Sequence, residues 1–194
     1  MVKRGDVLEN PNTGERLEFL QTSEDTDGGL LQVMLTVKPS GIIAAPHIHP
    51  VQEERLIVQS GTLRLVVNGE ESLLGSGQVG VAARGLPHVL WNSGEDQLKL
   101  LVEFRPALQM EDILTSLFEL GRVGRTNQVG VPNLLQVAVM LRKHQHELYL
   151  AKPSINIQKI LFWSLAWLGQ LLGYRADYDY CSIPSEMKSL PVDA

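Results

Sequence analysis

Between Leu17 and Pro106 the chain repeats one pattern: short runs of alternating apolar and polar residues, broken by glycine-containing turns. A period of two places successive side chains on opposite faces of a strand, so each run buries one face only. In "QLKLLVEFRP", Leu98, Leu100, Val102 and Phe104 share one face, and Lys99, Glu103 and Arg105 share the other. "LLQVMLTV" follows the turn signal "DTDGG". "RLIVQSGTLRLVVNGEE" holds two apolar runs parted by Ser60-Gly61 and then Asn68-Gly69, a pair that favours a primed hairpin turn. Many short antiparallel strands with regular turns predict a mainly β fold, a barrel or sandwich.

After Pro106 the period changes. "MEDILTSLFELG" has acidic residues in its first turn, apolar residues at Ile113, Leu114, Leu117 and Phe118, and Gly121 where a helix would stop. "VPNLLQVAVMLRKHQHELYL" puts Pro132 at the expected first helical position, and a third helix is expected after "KPS" with Ser154 as its cap. The organisation read from this is a β domain over 1–107, a helical extension over 108–180 packing on the β domain or on a partner, and a tail over 181–194 with little to bury.

With 194 residues the chain can bury a substantial core. A net charge of -5 supplies no basic field for a phosphate backbone, so nucleic acid is not an expected partner. Cys181 is the only cysteine, which rules out an intrachain disulfide and a cysteine-built zinc site and suits a reducing compartment. The first residues, "MVKRGDVLENPNTGERLEF", lack the apolar core of a secretory signal, and the expected location is the cytoplasm. "ILFWSLAWLGQLLGY", Ile160 to Tyr174, is shorter than the roughly 20 residues a membrane span needs. It reads as a packed helix whose Leu161, Phe162, Trp163 and Trp167 require a cover.

The segment "GIIAAPHIHPVQEERLIVQSG" raises the question of function, because it sets His47, His49, Glu53 and Glu54 in an apolar neighbourhood. Buried charge needs a compensating partner. A His-x-His pair on a strand presents both imidazoles to one face, and a turn at Pro50 can return Glu54 to the same point. Taken alone, such a pair is more often two surface or hydrogen-bonded histidines than a ligand pair. A second segment, "GQVGVAARGLPHVLWN", adds His88 in another glycine-punctuated stretch.

Together the two segments resemble the paired motifs of the cupin family. The first runs Gly41, five residues, His47, one residue, His49, four residues, Glu54, six residues, Gly61. The second runs Gly77, seven residues, Gly85, two residues, His88, three residues, Asn92, and fifteen residues separate Gly61 from Gly77. One departure is visible: Ala83 stands where the family usually has proline, while a proline appears at Pro87. The resemblance implies a small antiparallel β-barrel of the double-stranded β-helix or jelly-roll type. It also implies that His47, His49, Glu54 and His88 converge on one divalent metal ion. Glu54 is preferred to its neighbour Glu53 for its spacing to Gly61, since adjacent strand residues face opposite ways.

Three imidazoles and one carboxylate suit iron, manganese, nickel, copper or zinc. If Glu54 and His88 face inward, alternation makes Leu56, Val58 and Leu90 the inward neighbours and the substrate pocket apolar. Such a pocket suits a small apolar or aromatic molecule, and no inward Lys or Arg is seen to hold a phosphate. The resemblance allows a metal-dependent dioxygenase in which Glu54 also serves as a base. It equally allows a non-catalytic protein that binds a small ligand, and it implies a homodimer.

The remaining polar residues read as structural. His144 and His146 diverge by about 200° on a helix, which makes them poor joint ligands and a polar helix face. Asn92 is expected to cap a turn, Trp91 to pack, and Cys181 to be inert.

Overall fold

The structure, a computed structural model, describes residues 2–41, 43 and 45–180. The expectations for Cys181 and for the tail over 181–194 lie outside the described residues. Ten strands come first: β1 (Val7–Asn10), β2 (Glu15–Gln21), β3 (Leu31–Val37), β4 (His47–Ile48), β5 (Glu53–Ser60), β6 (Leu63–Val67), β7 (Glu70–Leu74), β8 (Val79–Ala82), β9 (Pro87–Asn92) and β10 (Leu98–Arg105). Then follow α1 (Met110–Arg122), α2 (Leu134–Lys143), a short β11 (Tyr149–Leu150) and α3 (Ile155–Leu171).

The fold is mainly β, with two antiparallel sheets ordered β1-β2-β3-β10-β5-β8 and β11-β4-β9-β6-β7. Register follows the alternation seen in the sequence. Leu100 pairs with Leu35 on one side and Val58 on the other, and Val102 pairs with Val33 and Leu56. All of these are buried, and they share one core with Leu63, Leu65 and Leu90 of the other sheet. The two sheets therefore pack inner face to inner face, as in a jelly roll.

The turns behave as their residues require. Asn68 and Gly69 both take positive φ, 51° and 86°, between Val67 and Glu70, which makes the primed hairpin of β6 and β7. Ser60-Gly61 has another role: β5 belongs to one sheet and β6 to the other, so this pair carries the chain across. Gly61 has φ 86°, and a Cβ there would stand 2.8 Å from Leu98 Cα, so conformation and space both demand glycine.

Two helix boundaries differ from expectation. Gly121 does not end α1; it lies inside the helix, where a Cβ would come within 2.5 Å of the Asn10 side chain. The stop is Gly124, at φ 73°, where Arg125 N–H donates to Leu120 O and Gly124 N–H to Gly121 O. Pro132 is not the first residue of α2. That helix is capped by Asn133, whose Oδ1 accepts from Gln136 N–H at 3.0 Å, a bond that a proline side chain cannot supply. The third helix begins directly after Ser154, as expected, but the Ser154 side chain makes no capping bond.

The helical segment adds a strand to the β region: β11 pairs with β4, setting Tyr149 opposite Ile48 and Leu150 opposite His47. Gln158 clamps this strand, accepting from Leu150 N–H at 3.0 Å and donating to Leu150 O at 2.7 Å and to Pro153 O at 2.7 Å. Helix α3 packs on α2 through Phe162, Ala166 and Gly169, and the close approach there leaves only 2.7 Å between a Cβ at Gly169 and Val139 Cγ2. Its outer face carries Ile160, Trp163, Trp167 and Leu171, each 60–75% exposed. Among the described residues, no helix is long and apolar enough to cross a membrane.

Candidate metal centre

Cross-strand register assembles the site. In the pairing of β4 with β9, His47 stands directly opposite His88, and their ring centroids lie 4.2 Å apart. His49, two residues on, has its ring 4.9 Å from His47 and 5.3 Å from His88. Glu54 enters from the other sheet, on the inward face of β5, and Glu53 beside it faces the opposite way and is only half-buried. Glu54 Oε2 lies 2.8 Å from His88 Nε2, 3.6 Å from His49 Nε2 and 3.9 Å from His47 Nε2. One ligand atom from each of the four buried residues fits within 4.8 Å of every other.

The outer nitrogens fix the inner ones. Each Nδ1 lies against a backbone carbonyl: His47 against Ala45 O at 2.8 Å, His88 against Leu86 O at 3.0 Å, and His49 against Glu147 O at 2.8 Å. With Nδ1–H donated in all three rings, Nε2 is the atom each ring turns to the centre: in a neutral ring it carries the lone pair a metal ligand requires, and in His88 it donates a proton to Glu54 Oε2 at 2.8 Å, a proton that a bound cation would replace. His49 Nε2 is buried and has no hydrogen-bond partner, an arrangement a cation at the centre would complete. The residues thus fit one divalent ion, and three nitrogens with one oxygen suit a transition metal.

Electrostatics favour the ligating states of His47 and Glu54. Burial, with His49 and His88 close by, pushes His47 down to about 3, so its ring is neutral near pH 7. Burial opposes ionisation of Glu54, but the imidazoles of His49 and His88 outweigh it and hold the carboxyl well below the usual carboxylate range. Burial likewise opposes charging His88, and there the Glu54 carboxylate prevails and raises it.

His47, His49 and Glu54 line a cavity of about 190 Å³ that is open on one side. Its walls are almost wholly apolar. Leu90, Val102 and Phe104 come from the strands; Met110, Ile113, Leu117, Met140 and Leu141 come from α1 and α2. Of the inward neighbours expected from alternation, Leu90 lines this cavity, whereas Leu56 and Val58 are buried in the core between the sheets, beyond its lining. The motif turn forms without the usual proline: Leu86 N–H donates to Ala83 O at 3.1 Å, and Gly85 N–H anchors it to His49 O at 2.8 Å. Asn92 caps the next turn, accepting from Gly94 N–H and donating to Val37 O, Lys38 O and Asp96 O. Trp91 packs under the Arg64 guanidinium.

The helical part supplies what local sequence patterns did not reveal. His144 is not on a polar helix face: α2 ends at Lys143, and His144 is its C-cap, 1% exposed and part of the cavity wall. His146 is exposed, as expected. The local sequence showed periodicity through "LLQVAVMLRK" but could not show that a partner segment, Tyr174 to Tyr178, covers the helix end. Glu15 also lines the cavity. Burial pushes its carboxyl up to about 7 against the opposing effects of Thr13, whose hydroxyl donates to it at 2.6 Å, and of Lys38.

Residues 33–104 match the family model described as a cupin domain. No curated protein sequence matches the chain. Among solved structures, the chain is similar to a predicted oxalate decarboxylase from Thermotoga maritima, at 19% identity over 55% of this chain and 99% of that one, with a TM-score of 0.48. It is similar also to KdgF from a Halomonas species, at 18% identity over 55% and 92% of the chains and a TM-score of 0.47. A sugar phosphate isomerase of the cupin superfamily from Silicibacter pomeroyi aligns at 20% identity over 50% and 62%, with a TM-score of 0.42. The matched segment holds both histidine motifs and the strands that carry them: residues 33–104 are a cupin domain, and the chain adds C-terminal helices to it.

Proposed function

We propose that the protein is a metal-dependent cupin that acts on a small apolar or aromatic molecule, with dioxygenase-type chemistry. One observation carries this reading: three inward Nε2 atoms and the Glu54 carboxylate meet at the end of a cavity whose other walls are apolar. His47, His49, Glu54 and His88 would hold the ion. A ferrous or similar ion held there would supply Lewis acidity and redox chemistry toward dioxygen. Apolar walls orient the body of the molecule and exclude water, so that its polar atoms are directed to the centre. In this reading Glu54, which lines the cavity as well as touching His88, accepts a proton from the bound molecule. Among the described residues that line the cavity there is no Lys or Arg to bind a phosphate, which disfavours a sugar phosphate.

The test is metal analysis of protein purified without added metal or a histidine tag, followed by oxygen consumption with enediols, flavonols and diketones. Consumption above a metal-only blank, lost in His88→Ala, supports the reading. Activity supported solely by a redox-inactive metal sinks the oxygenase chemistry. Ligand binding without any turnover leaves a non-catalytic binding protein.

The outer face of α3 supports a further part of the reading, that the chain pairs with a second copy. With Ile157 and Leu161, the exposed Ile160, Trp163, Trp167 and Leu171 offer apolar area on the order of the 800 Å² that one partner contributes to a stable interface. Sedimentation checks this: Trp163→Lys with Trp167→Lys should yield monomer. The single cysteine and the acidic balance fit a cytoplasmic protein without a nucleic-acid partner.

A further inference from the structure

Outside the metal cluster, His144 joins the cavity wall from the helical side. Its Nε2 lies 2.8 Å from Asp177 Oδ1, a contact that makes this nitrogen the N–H carrier of the neutral ring. The lone pair then sits on Nδ1, which is buried and has no hydrogen-bond partner. Glu147 Oε1 stands 3.9 Å away, beyond hydrogen-bond range. An orphaned buried nitrogen costs free energy, and a polar atom of a bound molecule would satisfy it.

We propose that His144 is a second catalytic residue, which exchanges a proton through Nδ1 with the molecule held in the cavity while Asp177 steadies its Nε2–H. This rests on the reading of the cavity as the site of a small aromatic or apolar molecule bearing a hydroxyl. As that hydroxyl ionises, its O–H bond breaks and an Nδ1–H bond forms. The resulting imidazolium lies between the carboxylates of Asp177 and Glu147. One ring nitrogen held by a carboxylate and the other free is the arrangement of histidine general bases on unrelated folds.

The surrounding charges suit the role. Burial opposes protonation of His144, but Glu147 and Asp177 outweigh it and place the ring above the usual imidazole range. Asp177 is paired with Lys143, and Asp112 on α1 also faces the group, its carboxyl raised by burial and by Asp177. The Asp177 side chain is 38% exposed, which gives the proton a route to solvent. The pair thus joins the apolar cavity to water without passing through the metal ligands.

The probe is 4-nitrocatechol, whose colour reports each phenolic proton lost. Metal-loaded wild type, His144→Gln and Asp177→Asn are titrated with it between about pH 5 and about pH 9, with bound metal measured in each. We expect the bound probe to ionise about one pH unit lower in wild type than in His144→Gln, a tenfold effect, with unchanged metal content. Asp177→Asn, altered at a partly exposed position, should fall between them and stands in if His144→Gln does not fold. Equal ionisation in wild type and the variants overturns the proposal and leaves the cavity reading intact. Failure of metal-loaded wild type to bind the probe sinks the cavity reading instead. Nitrogen NMR of the probe-free protein then decides on His144. A neutral ring with a bare Nδ1 sustains the proposal, and a ring protonated at both nitrogens up to about pH 9 overturns it.

Discussion

His49 and Glu147 are joined by a 2.8 Å hydrogen bond between Nδ1 and a backbone carbonyl, across 98 residues of chain. The other two imidazoles are oriented by carbonyls two residues away, so each of those contacts belongs to its own turn. His49 alone takes its orientation from the helical segment, whose β11 is hydrogen-bonded to the strand of His47. The candidate metal centre is therefore assembled by both parts of the chain.

It follows that loosening β11 should weaken metal binding from a distance. Gln158→Ala removes the three bonds that clamp Leu150 and Pro153 and leaves partly buried backbone groups of Leu150 without that partner. We expect metal affinity to fall by about 10-fold to 100-fold, the range for losing an outer partner of a ligating histidine. Calorimetric titration with zinc or manganese measures it, and an unchanged affinity in folded Gln158→Ala would show that His49 needs no support from the helices.

Removing a ligand should do more. His88→Ala deletes the imidazole nearest Glu54 Oε2, at 2.8 Å, and leaves the carboxylate among fewer partners. Breaking a buried charge pair on one side costs about 3–5 kcal/mol. Bound metal should drop from one ion per chain to none, with a lower melting temperature, as read by elemental analysis and calorimetry.

Glu15 should make stability depend on pH. Its carboxyl is raised from 4.5 to about 7 in the fold, so the folded state holds this proton more tightly than the unfolded chain. The stabilisation is complete below pH 4.5 and is lost as pH rises through about 7. Its full extent is about 3 kcal/mol. Glu15→Gln cannot ionise, so denaturation at mildly acidic and mildly alkaline pH should show wild type losing more stability across that window than the variant.

Gly61→Ala should destabilise the protein without touching the site. The left-handed backbone costs a non-glycine residue roughly 1–2 kcal/mol, and the 2.8 Å approach to Leu98 Cα adds strain in backbone that cannot yield cheaply. A melting temperature lower by at least roughly 2–4 °C is expected from the backbone term alone. Retention of the wild-type melting point would contradict this account of the crossing between sheets.

The amino-acid order by itself determined the local features: the strand alternation of Leu98 to Phe104, the Asn68-Gly69 hairpin and the four side chains His47, His49, Glu54 and His88. These are legible because a period of two, a positive φ and a fixed motif spacing are properties of neighbouring residues. Tertiary structure alone decided that Gly121 is an approach to Asn10 rather than a helix stop, that Leu56 and Val58 lie behind the cavity, and that His144 faces it. It also decided that Glu147 holds His49. Each of these depends on which distant surface lands on a given residue, and burial, unlike periodicity, is fixed only when both partners are in place.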